Sequence, residues 1–289
     1  MTSTPVPPPA FASLTLCLEF IRVTRDCVGG DLQRALVFAA IIDANVGHLD
    51  DNPEASVRAA ALDPTYPDDL RRPIRSQRIA ESLGLPRQTI RNKVNQLVDM
   101  GIVTETEAGL IIPTGSLVTE AFLLALEAYL GALATHIAAL ASAGAAGLEK
   151  TERLIDPIWP VSGAAMRMAT RHVLRTIGEV REEVGFEGLL MEFVMIGVLR
   201  ETARAQAAGI EPRLTGLRLA ETLGVPRETL RRQLRALSAL GRLEDRSWGV
   251  VVPDTLFDSP SARTMIERID RDATRMVRRL RNVGAIVQA

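Results

Sequence analysis

Apolar residues recur at intervals of three and four positions over long parts of the chain, which is the spacing that places them on one face of a helix. The pattern predicts helices over Leu32–Val46, Ser116–Ala143, Phe186–Arg200 and Ser261–Val283. Alternation of the kind found in strands is confined to very short stretches. The chain is therefore predicted to be mainly α.

The chain contains an internal repeat. Residues 73–113 (the first module) align with residues 213–253 (the second module) without a gap and with thirteen identities. Because glycine and proline mark turns, their shared placement indicates that both modules have the same fold. The matched turn residues are Gly84 and Gly224, Pro86 and Pro226, Gly101 and Gly241, and Gly109 and Gly249.

Each module reads as two helices joined by a tight turn and followed by a small hairpin. Gly84 and Gly224 supply the left-handed residue that the turn requires, and Pro86 and Pro226 suit the start of the second helix. The predicted hairpin strands are Val103–Glu105 with Leu110–Ile112, and Leu243–Asp245 with Val250–Val252. Two helices at a corner with a hairpin behind them make a winged helix-turn-helix, so two such domains in tandem are predicted.

The helices outside the modules repeat as well. Leu32–Val46 resembles Phe186–Arg200, and the helix after the first module corresponds to the one after the second. The chain is therefore predicted to be a pseudo-two-fold internal repeat of helical and winged-helix halves. The expected divisions are a flexible tail at 1–10, a first repeat at 11–145, a linker at 146–163 and a second repeat at 164–289.

Positive charge is concentrated in the two modules. The whole chain has a formal net charge of −1, and residues 1–70 hold 4 basic against 10 acidic side chains. Residues 71–113 hold 7 against 4, and residues 211–253 hold 8 against 5. A polyanion responds to charge within about a Debye length, roughly 10 Å, so these local excesses favour nucleic acid as a partner.

The motif Ala-Glu-x-Leu-Gly-x-Pro-Arg-x-Thr, at Ala80–Thr89 and again at Ala220–Thr229, resembles that of bacterial winged-helix transcription regulators of the cyclic-AMP-receptor and MarR types. The order of the flanking helices is most similar to a MarR-type subunit, in which those helices form the dimer interface. The resemblance is specific within the modules and topological elsewhere. It implies a cytoplasmic regulator that binds double-stranded DNA, and the chain shows no cyclic-nucleotide barrel that would imply a nucleotide cofactor.

The second helix of each module carries the candidate DNA-reading side chains. Side chains on the first turns of such a helix reach base edges in a major groove. The resemblance implies base reading by Arg227, Glu228 and Arg232, whereas the first module has Gln88 and Asn92 at the corresponding places, so two unlike half-sites in successive grooves are predicted. The full set of candidates is Arg87, Gln88, Thr89, Arg91, Asn92 and Lys93, then Arg227, Glu228, Thr229, Arg231, Arg232 and Arg235, and Arg246 in the second hairpin.

The two hairpins differ in charge. Arg246 and Ser247 at the tip of the second suit a phosphate, whereas Glu105 and Glu107 on the first repel one. In the first module Arg72, Arg75 and Lys93 are the alternative candidates for backbone contacts. Whether the first module touches DNA stays open at this stage.

Other chemistry has little support in the sequence. Cys17 and Cys27 are interpreted as core residues, and His48, His136 and His172 lie far apart with no metal-ligand spacing. No nucleophile, phosphate-loop or paired-carboxylate motif is present, so neither an enzyme nor a cofactor is expected. The apolar stretch Leu117–Leu140 contains Glu120 and Glu127, which favours a buried helix over a membrane span.

Several alternatives remain open. A plasmid-type replication initiator and a winged-helix protein-interaction scaffold would share these modules, and the chain could act as a monomer or a homodimer. A small-molecule effector could lie between Phe122–Leu140 and Leu189–Leu199, lined by Met191, Phe193 and Met195, unless those side chains are plain core. The segment Arg263–Arg281 holds 7 arginines against 3 acids, which fits either phosphate contacts or a solvated helix face.

Overall fold

The computed structural model describes residues 8–60, 68–185, 188–210, 216–246, 249–257 and 259–288. Most of these residues are helical, which confirms the prediction of a mainly α protein. The helices are α1 (Pro8–Cys27), α2 (Leu32–Val46), α3 (Pro53–Arg58), α4 (Ser76–Leu83), α5 (Arg87–Asp99), α6 (Glu120–Ser142), α7 (Ser162–Val184), α8 (Leu189–Ala208), α9 (Gly216–Leu223), α10 (Arg227–Ala239), α11 (Asp254–Phe257) and α12 (Pro260–Asn282). The strands are β1 (Thr104–Thr106), β2 (Gly109–Ile111), β3 (Glu152–Leu154), β4 (Glu244–Arg246), β5 (Gly249–Val251) and β6 (Ile286–Gln288).

Four long helices, α2, α6, α8 and α12, lie close to where the apolar pattern predicts them, whereas no bounds were predicted for α1 and α7. Helix α2 has the predicted bounds, and α12 is displaced by one residue. Helix α6 starts later than predicted because residues Thr114–Leu117 form a 3₁₀ turn ahead of it. Helix α8 begins at Leu189 and extends beyond Arg200, while residues 186 and 187 of the predicted helix lie outside the described residues. Helix α1 begins at Pro8, inside the stretch assigned to a tail.

The two halves of the chain share one hydrophobic core. Helix α1 packs along α6 and α7 packs along α12, so each half has a pair of long helices. The pairs also cross, because α1 contacts α7, α8 and α12 while α2 contacts α7. Fully buried side chains from both halves, such as Leu16, Leu133, Phe193 and Val277, belong to one continuous cluster. Each half therefore covers apolar surface that the other would expose to water.

The two modules match in their local geometry. Helices α4 and α9 are both 8 residues long, and α5 and α10 are both 13. Between the helices of each module stands a left-handed glycine, Gly84 at φ 60° and Gly224 at φ 62°. Strands β1 and β2 form an antiparallel hairpin in the first module, and β4 and β5 form one in the second. Each hairpin strand is displaced by one residue from the sequence prediction, because the last pair before the turn joins Thr106 to Gly109 in the first module and Arg246 to Gly249 in the second.

The stretch 146–163, expected to link the halves, contains a strand. Strand β3 pairs antiparallel with β6 at the opposite end of the chain, with Glu152 opposite Gln288. The Arg281 guanidinium donates to both carboxylate oxygens of Glu152, at 2.9 and 3.0 Å. This segment is therefore attached to the end of α12 as well as following α6.

One helix among the described residues, α6, is long and apolar enough to cross a membrane by length and composition. Its most apolar window has a mean hydropathy of 1.6, and 39% of that window is buried inside the protein. The buried side, which includes Leu133 and Ile137, packs on α1. The exposed side carries five alanines together with Glu120, Leu124, Glu127, Gly131, Thr135 and Ser142.

Candidate nucleic-acid interface

The second helix of each module is fastened to its module by one apolar face. Ile90, Val94 and Leu97 are buried under α5, and Leu230 and Leu237 are buried under α10. These positions repeat every three or four residues, so the opposite face of each helix is turned to solvent. The exposed side chains on that face are Arg87, Gln88, Arg91 and Asn92 in the first module, and Arg227, Glu228, Arg231, Arg232 and Arg235 in the second.

Helix α10 presents a strongly basic surface around one carboxylate. Arg231 forms an ion pair with Glu228 at 2.9 Å, and this hydrogen bond holds the pKa of Glu228 below its ordinary value. Arg227, Arg232 and Arg235 make no hydrogen bond or ion pair with any other described residue. The helix therefore offers three guanidinium groups free to pair with an anion or a base edge, beside an ionised carboxylate that can accept.

Helix α5 presents a more neutral surface at the corresponding positions. The side-chain amide of Gln88 donates to the Asn92 carbonyl oxygen at 3.0 Å, so the two side chains lie together on one turn. Arg87 and Arg91 are exposed, and no described residue pairs with either. The difference from α10 is therefore one of chemistry rather than of exposure.

Three of the predicted site residues are less accessible than the others. Thr89 and Thr229 are half-buried at the inner edge of their helices. Lys93 is half-buried too, and its ammonium group forms an ion pair with Asp31 at 2.8 Å. Burial alone would raise the pKa of Asp31, but the bonds from Lys93 and from the Arg34 backbone N–H lower it overall. Lys93 thus connects α5 to Asp31 at the start of α2.

The hairpins keep the charge difference that the sequence shows. Arg246 lies on β4 with Glu244 at 3.0 Å, and both are exposed. Glu105 and Glu107 are exposed on the first hairpin, as are Arg72 and Arg75 ahead of α4. Ser247, expected at the tip of the second hairpin, lies outside the described residues.

Each hairpin is positioned by a polar side chain that the sequence reasoning missed. Asn45, fully buried in α2, accepts a hydrogen bond from the Ile112 N–H at 2.9 Å and donates to the Leu110 carbonyl at 3.1 Å. Thr202 in α8 accepts from the Val252 N–H at 3.4 Å. Ile112 and Val252 are matched positions of the repeat, so both hairpins are tied to the bundle in the same way. The available signal for Asn45 was a polar residue just after the apolar run Leu36–Ile42, whereas Thr202 stands among charged residues and had no such signal.

The first helix of each module is held by an arginine from the opposite half of the chain. Arg25, on α1, donates to the Thr222 carbonyl at the end of α9, at 3.1 Å. Arg181, on α7, donates to the Ser82 carbonyl at the end of α4, at 3.3 Å. A cation at a helix C-terminus satisfies unpaired carbonyls and opposes the helix dipole. The modules are thereby fixed relative to the shared bundle.

A buried polar cluster lies where the halves meet. The His172 ring is within 3.0 Å of the Ser13 hydroxyl through Nε2 and within 3.1 Å of the Asp272 carboxylate through Nδ1. The order resembles that of a hydrolase triad, but Ser13 and His172 are 0% and 1% exposed, so no substrate can reach them. His136 stacks beside His172 with ring centroids 5.6 Å apart, and burial lowers its pKa to about 3. These residues serve as polar core between the halves.

The two cysteines are free thiols in different settings. Cys17 is fully buried, and Cys27 is half-buried near the end of α1. Burial raises the pKa of both thiols, that of Cys27 to about 11. Among the described residues, no group of three or more histidine, cysteine, aspartate or glutamate side chains is placed to hold a metal ion.

Comparison with known protein families, with characterised proteins and with solved structures finds no match to this chain.

Proposed function

We propose that the protein is a sequence-specific regulator of transcription that binds double-stranded DNA in the bacterial cytoplasm. In this proposal each module is a winged helix-turn-helix, with α5 and α10 as the two helices that enter the major groove. The observation that carries it is the repeated exposure of the first turns of these helices, where both modules present Arg87 and Gln88, or Arg227 and Glu228, to solvent. Those turns are the part of such a helix that reaches base edges.

The side chains on the two helices favour different bases. Arginine pairs best with guanine, and glutamate accepts from the amino group of cytosine, so Arg227, Glu228 and Arg232 suit a G·C-rich half-site. Glutamine and asparagine suit adenine, so Gln88 and Asn92 favour a mixed one. Since the guanidinium groups of Arg227 and Arg232 make no ion pair with a described residue, binding DNA would not require an existing bond to break.

Matched contacts in the two halves support a single chain acting as a fused dimer. The Asn45 and Thr202 bonds to the hairpins correspond, and so do the Arg25 and Arg181 bonds to the ends of α9 and α4. A pseudo-two-fold chain of this kind would present two recognition helices to successive major grooves, with half-site centres about 10 bp apart. The chain would then read an asymmetric site that no symmetric homodimer could specify.

Selection of bound duplexes from a random pool, followed by footprinting, tests this proposal. The expected result is one asymmetric site covered by one chain, with specific binding lost in the double variant Arg227→Glu, Arg232→Glu. A matched control with the same charge change at exposed arginines away from the modules, Arg58→Glu with Arg153→Glu, should keep the selected sequence. Retention of specific binding by the first variant would overturn the assignment of α10.

The same experiment separates the alternatives. A plasmid-type replication initiator would select sites clustered as iterons and would support replication of a plasmid that carries them. A protein-interaction scaffold would select no duplex, and exposed Glu105 and Glu107 would then mark the first hairpin as a protein contact. A symmetric palindrome bound by two chains would contradict the fused-dimer arrangement.

A further inference from the structure

A polar cleft lies between α7 and α12 in the second half of the chain. Its volume is about 320 Å³, which is within the roughly 300–1,000 Å³ of ordinary ligand sites. The charged side chains that line it are Arg175, Arg268, Arg271 and Arg275, with Glu179 and Asp272. Thr176 and Ile269 complete the lining and are each 1% exposed, so the cleft has a closed floor.

The sequence predicts a pocket elsewhere, between Phe122–Leu140 and Leu189–Leu199. Phe193 and Met195 are fully buried in the core there, and Met191 packs against it. The segment Arg263–Arg281, by contrast, directs most of its charge to the surface, where six of its arginines and only one of its carboxylates are exposed. Its excess of positive charge therefore faces solvent along α12.

The carboxylates of the cleft already have partners. Glu179 accepts a hydrogen bond from Arg268 at 3.1 Å, and the exposed Glu182, outside the lining, shares the same guanidinium at 2.8 Å. Asp272 accepts a hydrogen bond from Nη1 of Arg175. The anionic side chains of the cleft are thus neutralised by two of its four arginines.

The other two arginines, Arg271 and Arg275, are exposed and make no hydrogen bond or ion pair with a described residue. They are four residues apart on α12, so their Cβ atoms lie about 5–6 Å apart and their like charges repel. Each guanidinium presents a planar fork of N–H donors that matches two oxygens of a phosphate. Arg175 faces them from α7 and uses only one of its nitrogens for Asp272. A small anion with several oxygens would accept from all three and remove the repulsion.

The first half of the chain lacks this arrangement. Helices α6 and α12 are both 23 residues long and begin at residues 120 and 260, which is the same offset that relates the two modules. That offset places Gly131 and Thr135 opposite Arg271 and Arg275, and both are exposed. An exposed helix face at these positions therefore does not require arginine, and the chain has one such cleft between long helices rather than one in each half.

We propose that this cleft binds one small molecule per chain through a diphosphate group, held by Arg271 and Arg275 on α12 and by Arg175 on α7. Free pyrophosphate and the diphosphate of a nucleotide share this chemistry. The closed floor and the limited volume favour a small anion over a nucleic-acid duplex, whose backbone needs an open surface. The inference does not require that the protein binds DNA.

Calorimetric titration of the full chain tests the proposal with pyrophosphate, adenosine diphosphate and inorganic phosphate at about 0.15 M salt, where the Debye length is roughly 8 Å. We expect pyrophosphate to bind at one per chain and about tenfold more tightly than phosphate, because its second phosphoryl group reaches Arg175. The double variant Arg271→Gln, Arg275→Gln should bind pyrophosphate about tenfold or more weakly, since charge-assisted hydrogen bonds are lost. Tighter binding of adenosine diphosphate than of pyrophosphate would identify a nucleotide as the source of the diphosphate. Absence of binding by both diphosphates, two molecules per chain, or unchanged affinity in the double variant would each overturn the proposal.

A matched variant on α10 separates this cleft from the proposed DNA surface. Arg232→Gln with Arg235→Gln removes another exposed arginine pair without a described partner and should leave pyrophosphate affinity unchanged. Loss of pyrophosphate binding in the α10 variant, with binding kept in the α12 variant, would place the anion on the DNA surface and refute the cleft. Conversely, the α12 variant should keep the wild-type affinity for a selected duplex, so failure of DNA binding and failure of this proposal are told apart.

The wall formed by α7 has its own test. Arg175→Lys keeps a positive charge beside Asp272 but lacks the second edge of the guanidinium fork. We expect it to bind pyrophosphate about two- to tenfold more weakly than the wild-type chain, with phosphate affinity unchanged. Circular dichroism and urea unfolding would check that each variant folds. Unchanged pyrophosphate affinity in folded Arg175→Lys would confine the anion to α12 and contradict a site with two walls.

Discussion

The guanidinium of Arg25 donates a 3.1 Å hydrogen bond to the backbone carbonyl of Thr222, which lies in the other half of the chain. The contact is possible because Gly224 has no side chain, since a Cβ at that position would collide with the same guanidinium. Arg181 makes the equivalent bond to Ser82 beside Gly84. Each module is thus held by a long helix from the other half of the chain. The distance between the two modules is therefore set by the helical bundle.

Replacing Arg25 by alanine should loosen the second module alone. One hydrogen bond and one charge–dipole contact are lost, which costs about 1 kcal/mol. We expect faster backbone hydrogen exchange in α9, with exchange in α4 unchanged, when the two helices are compared by mass spectrometry. Arg22→Ala is the matched control, because Arg22 is exposed on the same helix and pairs only with Glu19. Equal exchange in both helices of Arg25→Ala would contradict this coupling between the halves.

Replacing Arg181 should be more costly than replacing Arg25. Arg181→Ala removes the partner of Glu192, whose side chain is 3% exposed, and an unpaired buried charge costs about 3–5 kcal/mol. Urea unfolding should show this loss in the free energy of unfolding. The double variant Arg181→Met, Glu192→Leu should be more stable than Arg181→Ala, because it leaves no unpaired charge. If the two variants are equally destabilised, the pairing with Glu192 is not the source of the loss.

Changing α5 should alter only one side of the proposed DNA site. Gln88→Ala with Asn92→Ala removes the side chains that favour adenine, and each good base contact contributes about 1–3 kcal/mol of discrimination. Selection of bound sequences should show relaxed preference in the first half-site and an unchanged second half-site. Gln77→Ala is the control, since Gln77 is exposed on α4 and pairs within it with Glu81. Unchanged preference in both half-sites would leave the first module without a role in base reading.

Asp270 should make the protein more stable in mild acid than at neutral pH. Burial raises its pKa to about 6, and one carboxylate oxygen is buried without a hydrogen bond. Because the folded-state pKa lies above the unfolded value, ionisation disfavours folding above about pH 6, and stability rises as the pH falls from about 6 towards 4. Asp270→Asn should therefore raise the free energy of unfolding at pH 7 by about 1 kcal/mol, discounted for partial exposure, and remove this slope.

Asp272, two residues away, should behave in the opposite sense and serves as the comparison. Burial alone would raise its pKa, but the hydrogen bonds from His172 and Arg175 lower it overall. Its stabilising contribution is present above the unfolded pKa and is lost as the pH falls through the lower folded-state value. Urea unfolding of Asp272→Asn should show reduced stability at pH 7. If Asp270→Asn and Asp272→Asn changed the pH dependence of the free energy of unfolding in the same direction, the opposite pKa shifts of the two carboxylates would be contradicted.

Because helical periodicity is a local property, the sequence alone located α2, α6, α8, α12 and the two helices of each module, although α1 and α7 were not predicted. The bounds of α2 were predicted to the residue, and those of α12 to within one. The left-handed backbone of the turn glycines Gly84 and Gly224 was predicted correctly, because it depends only on the local turn between two helices. The apolar face of α5 was predicted as well, and with it the exposed Arg87 and Gln88 on the opposite side.

The contacts that depend on residues distant in the sequence were not predictable in this way. The role of Asn45 in α2 is visible only in the structure, where its side chain accepts a hydrogen bond from the Ile112 N–H. Lys93 looks like a free phosphate contact until Asp31 is placed beside it. The pairing of β3 with β6 likewise forms only when both halves pack together.

By itself the sequence determined most of the helical segments, that the chain is duplicated, and which side chains begin α5 and α10. Helical periodicity, the placement of turn glycines and local charge can each be read from a short stretch of neighbouring residues. Only the tertiary structure decided that the halves share a core and that Arg25 and Arg181 each donate a hydrogen bond to a module of the opposite half. Those features depend on residues far apart along the chain, whose approach is set by packing and not by local pattern.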